Sequence, residues 1–206
     1  MPYLFDLDGT LIDSEKAHKS AEVVTFGTFG LVVSEDDLFR FTGVPYRTML
    51  AAVSAEHAVA VPLEEFMARH KKTLLDKVGS EIFPFPDVDG CLTRFLNTPM
   101  ALVTSSPGWY VDAILSTFPI FGEKFQHRVC ADDVTHGKPH PEAFQLASAR
   151  LGFEPKACIA VEDSANGIAS AKAAGCYTIA VRRDDRIDLT QADSVIATLD
   201  ELAEVA

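Results

Sequence analysis

Residues 3–10 read YLFDLDGT, an apolar run that leads directly into two aspartates, a glycine and a threonine. Apolar side chains at successive positions are typical of a strand buried on both faces, as in a parallel sheet. Asp6 and Asp8 then lie at the carboxyl end of that strand, where open α/β sheets bind their ligands. The segment therefore predicts a strand with a reactive end.

Further apolar runs recur along the chain, and helical patterns separate them. They predict buried strands at Tyr3–Leu7, Met100–Val103, Arg128–Ala131, Ala157–Val161 and Tyr177–Val181, with a weaker strand at Ser194–Ala197. One intervening helix is clearly delimited, because Ser164 can cap its start and Gly175 ends it. Strands that alternate with helices predict an α/β fold with a doubly wound, Rossmann-like parallel sheet.

Residues 14–84 break this alternation. They contain helical patterns such as Glu15–Phe26 and Leu63–Val78, but no convincing buried strand. The segment Phe83–Pro86 alternates phenylalanine with proline, which predicts a non-helical return linker. We therefore expect an α/β core formed by residues 1–13 and 85–206, with residues 14–84 forming a helical domain inserted after the first strand.

The side chains that follow the predicted strands have a common chemistry. They are carboxylates, hydroxyls and one ammonium group: Asp6, Asp8, Thr104, Ser105, Lys138, Glu162 and Asp163. Parallel strands deliver their carboxyl ends to one edge of the sheet, so these groups should meet there. Carboxylate and carbonyl oxygens suit Mg²⁺, which leaves coordination positions for water and phosphate. The hydroxyls of Thr104 and Ser105, beside the N–H groups of a helix start, can bind phosphoryl oxygens.

The formal net charge of −12 restricts the partners of the chain. An acidic surface repels nucleic acid, so we expect no nucleic-acid partner. A site for an anionic substrate must then supply its own positive charge, from Lys138 and a metal ion. No apolar run approaches the roughly 20 residues that span a bilayer, and no signal peptide is evident, so we expect no membrane partner. The four scattered cysteines are typical of buried thiols in a reducing cytoplasm.

The sequence does not fit three other ligand-binding motifs. A calcium-binding loop starting at Asp6 would need glycine at its sixth position and glutamate at its twelfth, where Ala17 lies. The segment around Lys138 is not a nucleotide-binding P-loop, because Asp132 replaces the first glycine and Pro139 replaces the Ser/Thr. No G-x-G-x-x-G follows a strand, which argues against a dinucleotide site.

Four motifs in this order resemble the haloacid dehalogenase superfamily. They are residues 6–10 (DLDGT), 103–106 (VTSS), 137–142 (GKPHPE) and 161–164 (VEDS). The helical insert is similar to the type-1 cap of that family, and the resemblance covers essentially the whole chain. A second aspartate at Asp8, which dehalogenase members lack, implies phosphoryl transfer over carbon–halogen cleavage.

The resemblance implies a role for each matching residue. Asp6 would be the nucleophile that forms an aspartyl-phosphate, and also a Mg²⁺ ligand. Asp8 would be the general acid and then the general base, with its backbone carbonyl on the metal. Lys138 would hold both the phosphate and Asp6. Thr104 would bind the phosphoryl group, Asp163 would be a metal ligand, and Glu162 would reach the metal through water.

Three residues of the helical insert are weaker candidates for substrate contact. Gly43 and Arg47 lie in a segment that resembles the cap loop reaching over the substrate in similar proteins, and Arg47 could bind an anionic or polar group. The alternative is a solvated arginine at a helix start. His18 lies where relatives have a hinge or proton-handling histidine, although a surface or core histidine explains it equally well.

These features predict a Mg²⁺-dependent phosphatase, a phosphoric monoester hydrolase acting on a small phosphorylated metabolite such as a sugar phosphate. One alternative is a phosphosugar mutase similar to β-phosphoglucomutase, which would return the phosphoryl group to the sugar. Thr10 after Asp8-Gly9 favours the phosphatase. A non-catalytic binding module is a third reading, which the intact set Asp6, Asp8, Lys138 and Asp163 argues against. We expect the protein to be a monomer.

Overall fold

A computed structural model describes residues 1–41, 44, 46–122 and 124–205. The chain divides into two compact units: an α/β unit of Met1–Asp13 and Phe83–Ala206, and a helical unit of Ser14–Ile82. The strands, in chain order, are β1 Tyr3–Phe5, β2 Ile12–Asp13, β3 Phe83–Pro84, β4 Met100–Val103, β5 His127–Val129, β6 Ile159–Glu162, β7 Tyr177–Val181 and β8 Ser194–Ile196. The helices are α1 Glu15–Gly27, α2 Glu35–Phe39, α3 Tyr46–His57, α4 Leu63–Leu75, α5 Val88–Arg94, α6 Gly108–Thr117, α7 Glu142–Leu151, α8 Ala165–Ala174 and α9 Leu202–Val205.

Six of the strands form one parallel sheet in the order β5-β4-β1-β6-β7-β8. β1 lies between β4 and β6, and its residues, like those of both neighbours, are buried. Such full burial explains why these strands read as continuous apolar runs. The predicted α/β class with a doubly wound parallel sheet is confirmed.

The helices that connect these strands begin and end as their sequences indicate. The hydroxyl of Ser164 accepts a hydrogen bond from the Gly167 N–H at the start of α8, and Gly175 ends that helix with φ 96°. α7 ends in the same way at Gly152, with φ 80°. A positive φ is strained for residues with a Cβ, so glycine suits both stops. Between these limits α7 packs against β4 and β5, and α8 against β6 and β7.

A second, two-stranded sheet was not predicted. β2 and β3 pair antiparallel, with Ile12 opposite Pro84 and Asp13 opposite Phe83. The sequence predicts a linker at Phe83–Pro86, and this prediction is wrong for Phe83 and Pro84. Proline is tolerated in so short a pair because it can lie where no ladder N–H is required. The prediction that the prolines exclude a helix there is confirmed.

The helical unit packs α1–α4 around its own apolar cluster. Phe26 and Phe66 are fully buried, and their ring centroids lie 4.8 Å apart. Ser34 starts α2 with a capping box, in which Asp37 and Ser34 hydrogen-bond each other's side chain and backbone N–H. No helix in the described part of the chain is both long and apolar enough to cross a lipid bilayer.

Candidate active site

Asp6 follows the last residue of β1 and is 6% exposed. Its backbone N–H continues the pairing of the strand by donating to the Val161 carbonyl at 2.9 Å. Its carboxylate accepts a 2.6 Å hydrogen bond from Lys138. The strand therefore fixes the backbone of Asp6, and Lys138 fixes one of its carboxylate oxygens.

Lys138 reaches this carboxylate from the loop between β5 and α7. Its ammonium group donates to Asp6 Oδ1 at 2.6 Å, to Glu162 Oε1 at 2.6 Å and to the Val103 carbonyl at 2.9 Å. These three acceptors come from the ends of β1, β6 and β4. Burial opposes the charge, but Asp6 and Glu162 outweigh it and raise the pKa of Lys138 above its usual value. Lys138 is therefore a fixed cation that joins three strand ends.

Glu162 is fully buried, and both of its carboxylate oxygens are hydrogen-bonded. One accepts from Lys138; the other accepts from the Asp163 N–H, the Ser164 N–H and the Ser164 hydroxyl. This carboxylate also lies against the start of α8, where a Cβ on Gly167 would stand 1.8 Å from Glu162 Oε1. Gly167 therefore leaves the space that Glu162 occupies.

Asp163 completes the carboxylates at this edge of the sheet. The Thr10 hydroxyl donates to Asp163 Oδ1 at 2.8 Å. Gly9 has φ +81°, and a Cβ there would lie 2.2 Å from Asp163 Oδ2. The glycine is thus required twice: for its positive φ and for the close approach of this carboxylate.

Negative charge exceeds positive charge in this cluster. Ligand oxygens of Asp6, Glu162 and Asp163 all lie within 4.8 Å of one another, while the ammonium of Lys138 contacts Asp6 and Glu162. Burial raises the pKa of Asp6 to about 8 against the opposing effect of Lys138. Burial, followed by the charges of Asp6 and Glu162, raises the pKa of Asp163 well above its usual value. An all-oxygen set with this deficit of positive charge fits a hard divalent cation such as Mg²⁺.

Asp8 has a different set of neighbours from Asp6. Its Oδ1 accepts from the Tyr110 hydroxyl at 3.1 Å, and its Oδ2 accepts from the Ser106 hydroxyl at 2.6 Å and the Thr104 hydroxyl at 3.3 Å. The two aspartates of the motif thus lie in different surroundings: one beside an ammonium, the other among hydroxyl groups. A carboxylate held by hydroxyl groups is suited to exchange a proton.

The predicted phosphate-binding hydroxyls differ in exposure. Thr104 is buried, and its hydroxyl oxygen accepts a 2.9 Å hydrogen bond from the Ser106 N–H. Ser105 is exposed between them. The loop ends at Pro107, after which α6 begins at Gly108. The Gly108 N–H at that helix start donates to Asp132 Oδ2 at 2.7 Å. The exposed Ser105 hydroxyl beside this helix start can receive a phosphoryl oxygen.

A model of the haloacid dehalogenase-like hydrolases matches residues 3–181 of the chain. The chain belongs to this family. The resemblance inferred from the four motifs is thereby confirmed, as is an enzyme of the hydrolase class.

Several family members with assigned activities are similar over most of their length. The fructose-1-phosphate phosphatase of Escherichia coli is 33% identical over 185 residues, which cover 87% of this chain and 95% of that protein. The validoxylamine A 7'-phosphate phosphatase of Streptomyces hygroscopicus is 32% identical over 214 residues, covering 97% and 94%. The relatives of this haloacid dehalogenase-like hydrolase thus include phosphatases of different substrates.

Solved structures of the family share the fold. A candidate β-phosphoglucomutase from Thermotoga maritima is 26% identical, covers 100% of this chain and 99% of its own, and gives a TM-score of 0.80. CbbY from Rhodobacter sphaeroides, crystallised with phosphate, gives a TM-score of 0.86 at 24% identity, with coverage of 98% and 95%. At that identity the second likeness concerns the fold alone.

Sequence reasoning did not anticipate the contacts that four residues make in this site. Thr10 and Ser106 belong to the motifs, but their contacts with Asp163 and Asp8 were not anticipated. Gly167 makes room for Glu162, and Tyr110 donates to Asp8. The motif itself could have indicated Thr10 and Ser106. Nothing in the sequence distinguishes Tyr110 from a core aromatic residue.

The structure gives the position of two of the three residues of the helical insert that are candidates for substrate contact. Gly43 lies outside the described residues. Arg47 is exposed in the first turn of α3. His18 is half-buried in α1, with its ring centroid 6.4 Å from that of His70. Contact of any of the three with a substrate stays a prediction.

Proposed function

We propose that this hydrolase is a phosphatase that cleaves a small phosphate monoester, in particular a sugar phosphate, through an aspartyl-phosphate on Asp6. The observation that carries the proposal is the single ammonium of Lys138, shared between Asp6 and Glu162 at 2.6 Å each, with Asp163 in the same cluster. A nucleophilic carboxylate needs a fixed position and a cation to lower its repulsion with phosphate. Phosphatases among the relatives add support.

Mg²⁺ is the proposed cofactor. Asp6, Asp163 and the backbone carbonyl of Asp8 would hold it, and Glu162 would reach it through water. The ion would supply positive charge that neutralises the phosphoryl oxygens and the surrounding carboxylates. The charge deficit of the cluster supports this assignment, since one ammonium faces three acidic side chains.

The proposed reaction has two steps, which balance in atoms and protons. An oxygen of Asp6 attacks phosphorus, the bond from phosphorus to the ester oxygen breaks, and the leaving alcohol takes a proton from Asp8. Water then attacks the acyl phosphate while giving a proton back to Asp8, which releases inorganic phosphate and regenerates Asp6. Lys138 holds Asp6 and the phosphoryl group throughout, and Thr104 and Ser105 bind phosphoryl oxygens.

The substrate class rests on similarity and on the insert. A relative that is 33% identical acts on fructose 1-phosphate, which favours a sugar phosphate here. We propose that residues 14–84 form a helical cap domain, inserted in the sequence of the core of residues 1–13 and 85–206. Gly43, Arg47 and His18 are the cap residues that we expect to face the substrate.

We also propose a monomeric protein in the reducing cytoplasm, with neither nucleic acid nor membrane as partner. Each of the four cysteines is buried and free of a disulfide. The formal net charge of −12 opposes binding to polyanions.

Purified protein should release phosphate from a chromogenic aryl phosphate and from a panel of sugar phosphates when Mg²⁺ is present. Asp6→Asn should abolish this release, because an amide cannot form the covalent intermediate. Asp13→Asn is a matched control, since Asp13 is an exposed aspartate of the same unit. Equal release by wild-type protein and Asp6→Asn would contradict the proposal.

A phosphosugar mutase is the second candidate, and the likeness to the candidate β-phosphoglucomutase structure favours it. Such an enzyme would return the phosphoryl group from Asp6 to a sugar hydroxyl before water attacks. Incubation with a sugar phosphate, followed by separation of isomers, distinguishes the two. Isomer exchange faster than phosphate release would establish the mutase, and the reverse order is expected for the phosphatase.

A further inference from the structure

The loop between β5 and α7, which carries Lys138, also carries two exposed histidines and leads into a half-buried glutamate. His136 and His140 flank the lysine in sequence, and Glu142 is the first residue of α7. One ligand atom from each of the three lies within 4.8 Å of the other two. None of these residues belongs to the carboxylate cluster of Asp6.

The distances in this group approach those around a bound metal ion. His136 Nδ1 lies 3.0 Å and His140 Nδ1 lies 3.8 Å from the same Glu142 oxygen, Oε2. The two imidazole centroids are 4.6 Å apart. Ligands at zinc distances are separated by about 3.0–3.4 Å in octahedral or tetrahedral arrangements. Small rotations of the exposed histidine side chains would bring all three ligands to that separation.

Hydrogen bonds hold the backbone and carboxylate of this group in place. The Glu142 carboxylate accepts from the backbone N–H groups of Thr135 at 2.8 Å and His136 at 3.0 Å. The His140 carbonyl accepts a 2.6 Å hydrogen bond from the hydroxyl of Ser170, which is fully buried in α8. Hydrogen bonds to a ligating side chain orient it and strengthen a metal site.

His140 Nδ1 carries a lone pair on the side that faces Glu142. It accepts a long, 3.3 Å hydrogen bond from the Glu142 N–H. An unprotonated imidazole nitrogen is the form that binds a metal. Coordination would replace this weak hydrogen bond with a stronger interaction.

We propose that His136, His140 and Glu142 form a second metal site, which takes Zn²⁺ or a similar borderline divalent ion. Two imidazole nitrogens with one carboxylate suit Zn²⁺, whereas Mg²⁺ selects oxygen ligands. The two sites of the α/β unit therefore differ in donor atoms and select different ions. Water would fill the remaining positions, because both histidines are exposed.

Zinc at this site would tie the two ends of the segment that carries Lys138. His136 and His140 stand two residues before and two residues after the lysine, and the lysine ammonium contacts Asp6. The ion would thereby restrict the loop that delivers the lysine to the buried cluster. The site itself stands independently of the proposed phosphatase activity, because its ligands and its test concern metal binding alone.

Isothermal titration with Zn²⁺ tests the site in the full chain. The protein is first stripped with EDTA and then kept in saturating Mg²⁺, which occupies the oxygen-ligand cluster. One zinc equivalent should bind, and His136→Gln and His140→Gln should each weaken binding by more than about tenfold. His127→Gln should bind as tightly as the wild type, since His127 is an exposed histidine of the same unit outside this group.

A second measurement needs no variant. In a long-range ¹H–¹⁵N spectrum of the wild-type protein, added Zn²⁺ should shift the signals of two of the six histidines. Absence of saturable zinc binding, or undiminished binding in the double variant His136→Gln/His140→Gln, would overturn the proposal. Binding that survives the double variant but is lost in Asp163→Asn would also overturn it, because the zinc would then occupy the carboxylate cluster.

Discussion

Both units of the protein bury ionisable side chains, but the two sets differ in charge balance. In the α/β unit, one ammonium lies among three carboxylates: Lys138, Asp6, Glu162 and Asp163. In the helical unit, Lys19 pairs with the single carboxylate of Glu22 at 3.3 Å, and both side chains are largely buried. The first set therefore lacks positive charge, while the second is balanced.

The neighbouring histidine of the helical unit adds no charge to its set. His70 is buried, and its Nε2 lies 2.9 Å from the Tyr46 hydroxyl. Burial, followed by the proximity of His18, lowers the pKa of His70 to about 4, so the ring is neutral at pH 7. A balanced polar set is explained by packing alone. The deficit of positive charge in the α/β unit instead supports the cation and the reactive site proposed there.

Removing the lysine from each set should give unequal results. Lys138→Met leaves the buried carboxylates of Asp6 and Glu162 without their ammonium, which should cost about 3–5 kcal/mol of unfolding free energy and more than about 10²-fold in kcat/KM. Lys19→Met should cost less, because it leaves only the carboxylate of Glu22 without its ammonium, whereas Lys138→Met leaves two. Urea unfolding and steady-state phosphatase kinetics measure both effects. An equal loss of stability in the two variants would contradict the difference in charge balance.

Removal of Mg²⁺ should act on the unbalanced set alone. EDTA should abolish turnover, and Mg²⁺ should raise the melting temperature, because a ligand that binds only the folded state stabilises it. Asp163→Asn should lose the Mg²⁺-dependent rise, whereas Glu22→Gln should retain it. Thermal unfolding with and without Mg²⁺ gives the comparison. Full activity in EDTA would contradict the proposal that turnover requires a metal ion.

The balanced set should instead respond to pH through His70. Its pKa of about 4 lies below the unfolded value of 6.5, so between these values the unfolded chain binds the additional proton. Stability should therefore be complete above about pH 6.5 and fall by up to about 3 kcal/mol as the pH drops towards 4. Urea unfolding of wild type and His70→Gln at pH 7 and pH 4.5 isolates this contribution. A wild-type loss no larger than that of the variant would show that His70 does not cause it.

The hydroxyl neighbours of Asp8 should give the smallest effect. Tyr110→Phe removes one of the hydrogen bonds to Asp8 and should lower kcat about tenfold while changing KM little, since the hydroxyl orients a proton-transfer group. Tyr177→Phe, which alters an exposed tyrosine of the same unit, is the control and should leave kcat unchanged. A large rise in KM without loss of kcat would assign Tyr110 to substrate binding instead.

Much of the α/β unit could be predicted because local pattern and topology agree there. Strands buried on both faces are necessarily apolar, and parallel strands bring Asp6, Lys138 and Asp163 to one edge whatever their separation in sequence. Short elements could not be predicted in this way. The pairing of β2 with β3 joins segments about seventy residues apart, and neither segment carries a distinctive signal.

Side-chain contacts between elements that are distant in sequence could not be predicted either. Tyr110 lies on α6 with a fully buried side chain, and the sequence pattern predicts no more than a core aromatic residue. Only the structure shows that its hydroxyl donates a hydrogen bond to Asp8. Gly167 likewise reads as a helix residue until the carboxylate of Glu162 is seen in the space that a Cβ would fill.

The central claim, that Asp6 becomes phosphorylated, can be tested by trapping the intermediate. Asp8→Asn with a ³²P-labelled aryl phosphate and Mg²⁺ should accumulate label on the protein, because an aryl leaving group needs no acid while hydrolysis of the acyl phosphate lacks its base. After acid quench the label should be released by hydroxylamine and should map to Asp6. Absence of label, or label that persists in Asp6→Asn/Asp8→Asn, would contradict the account.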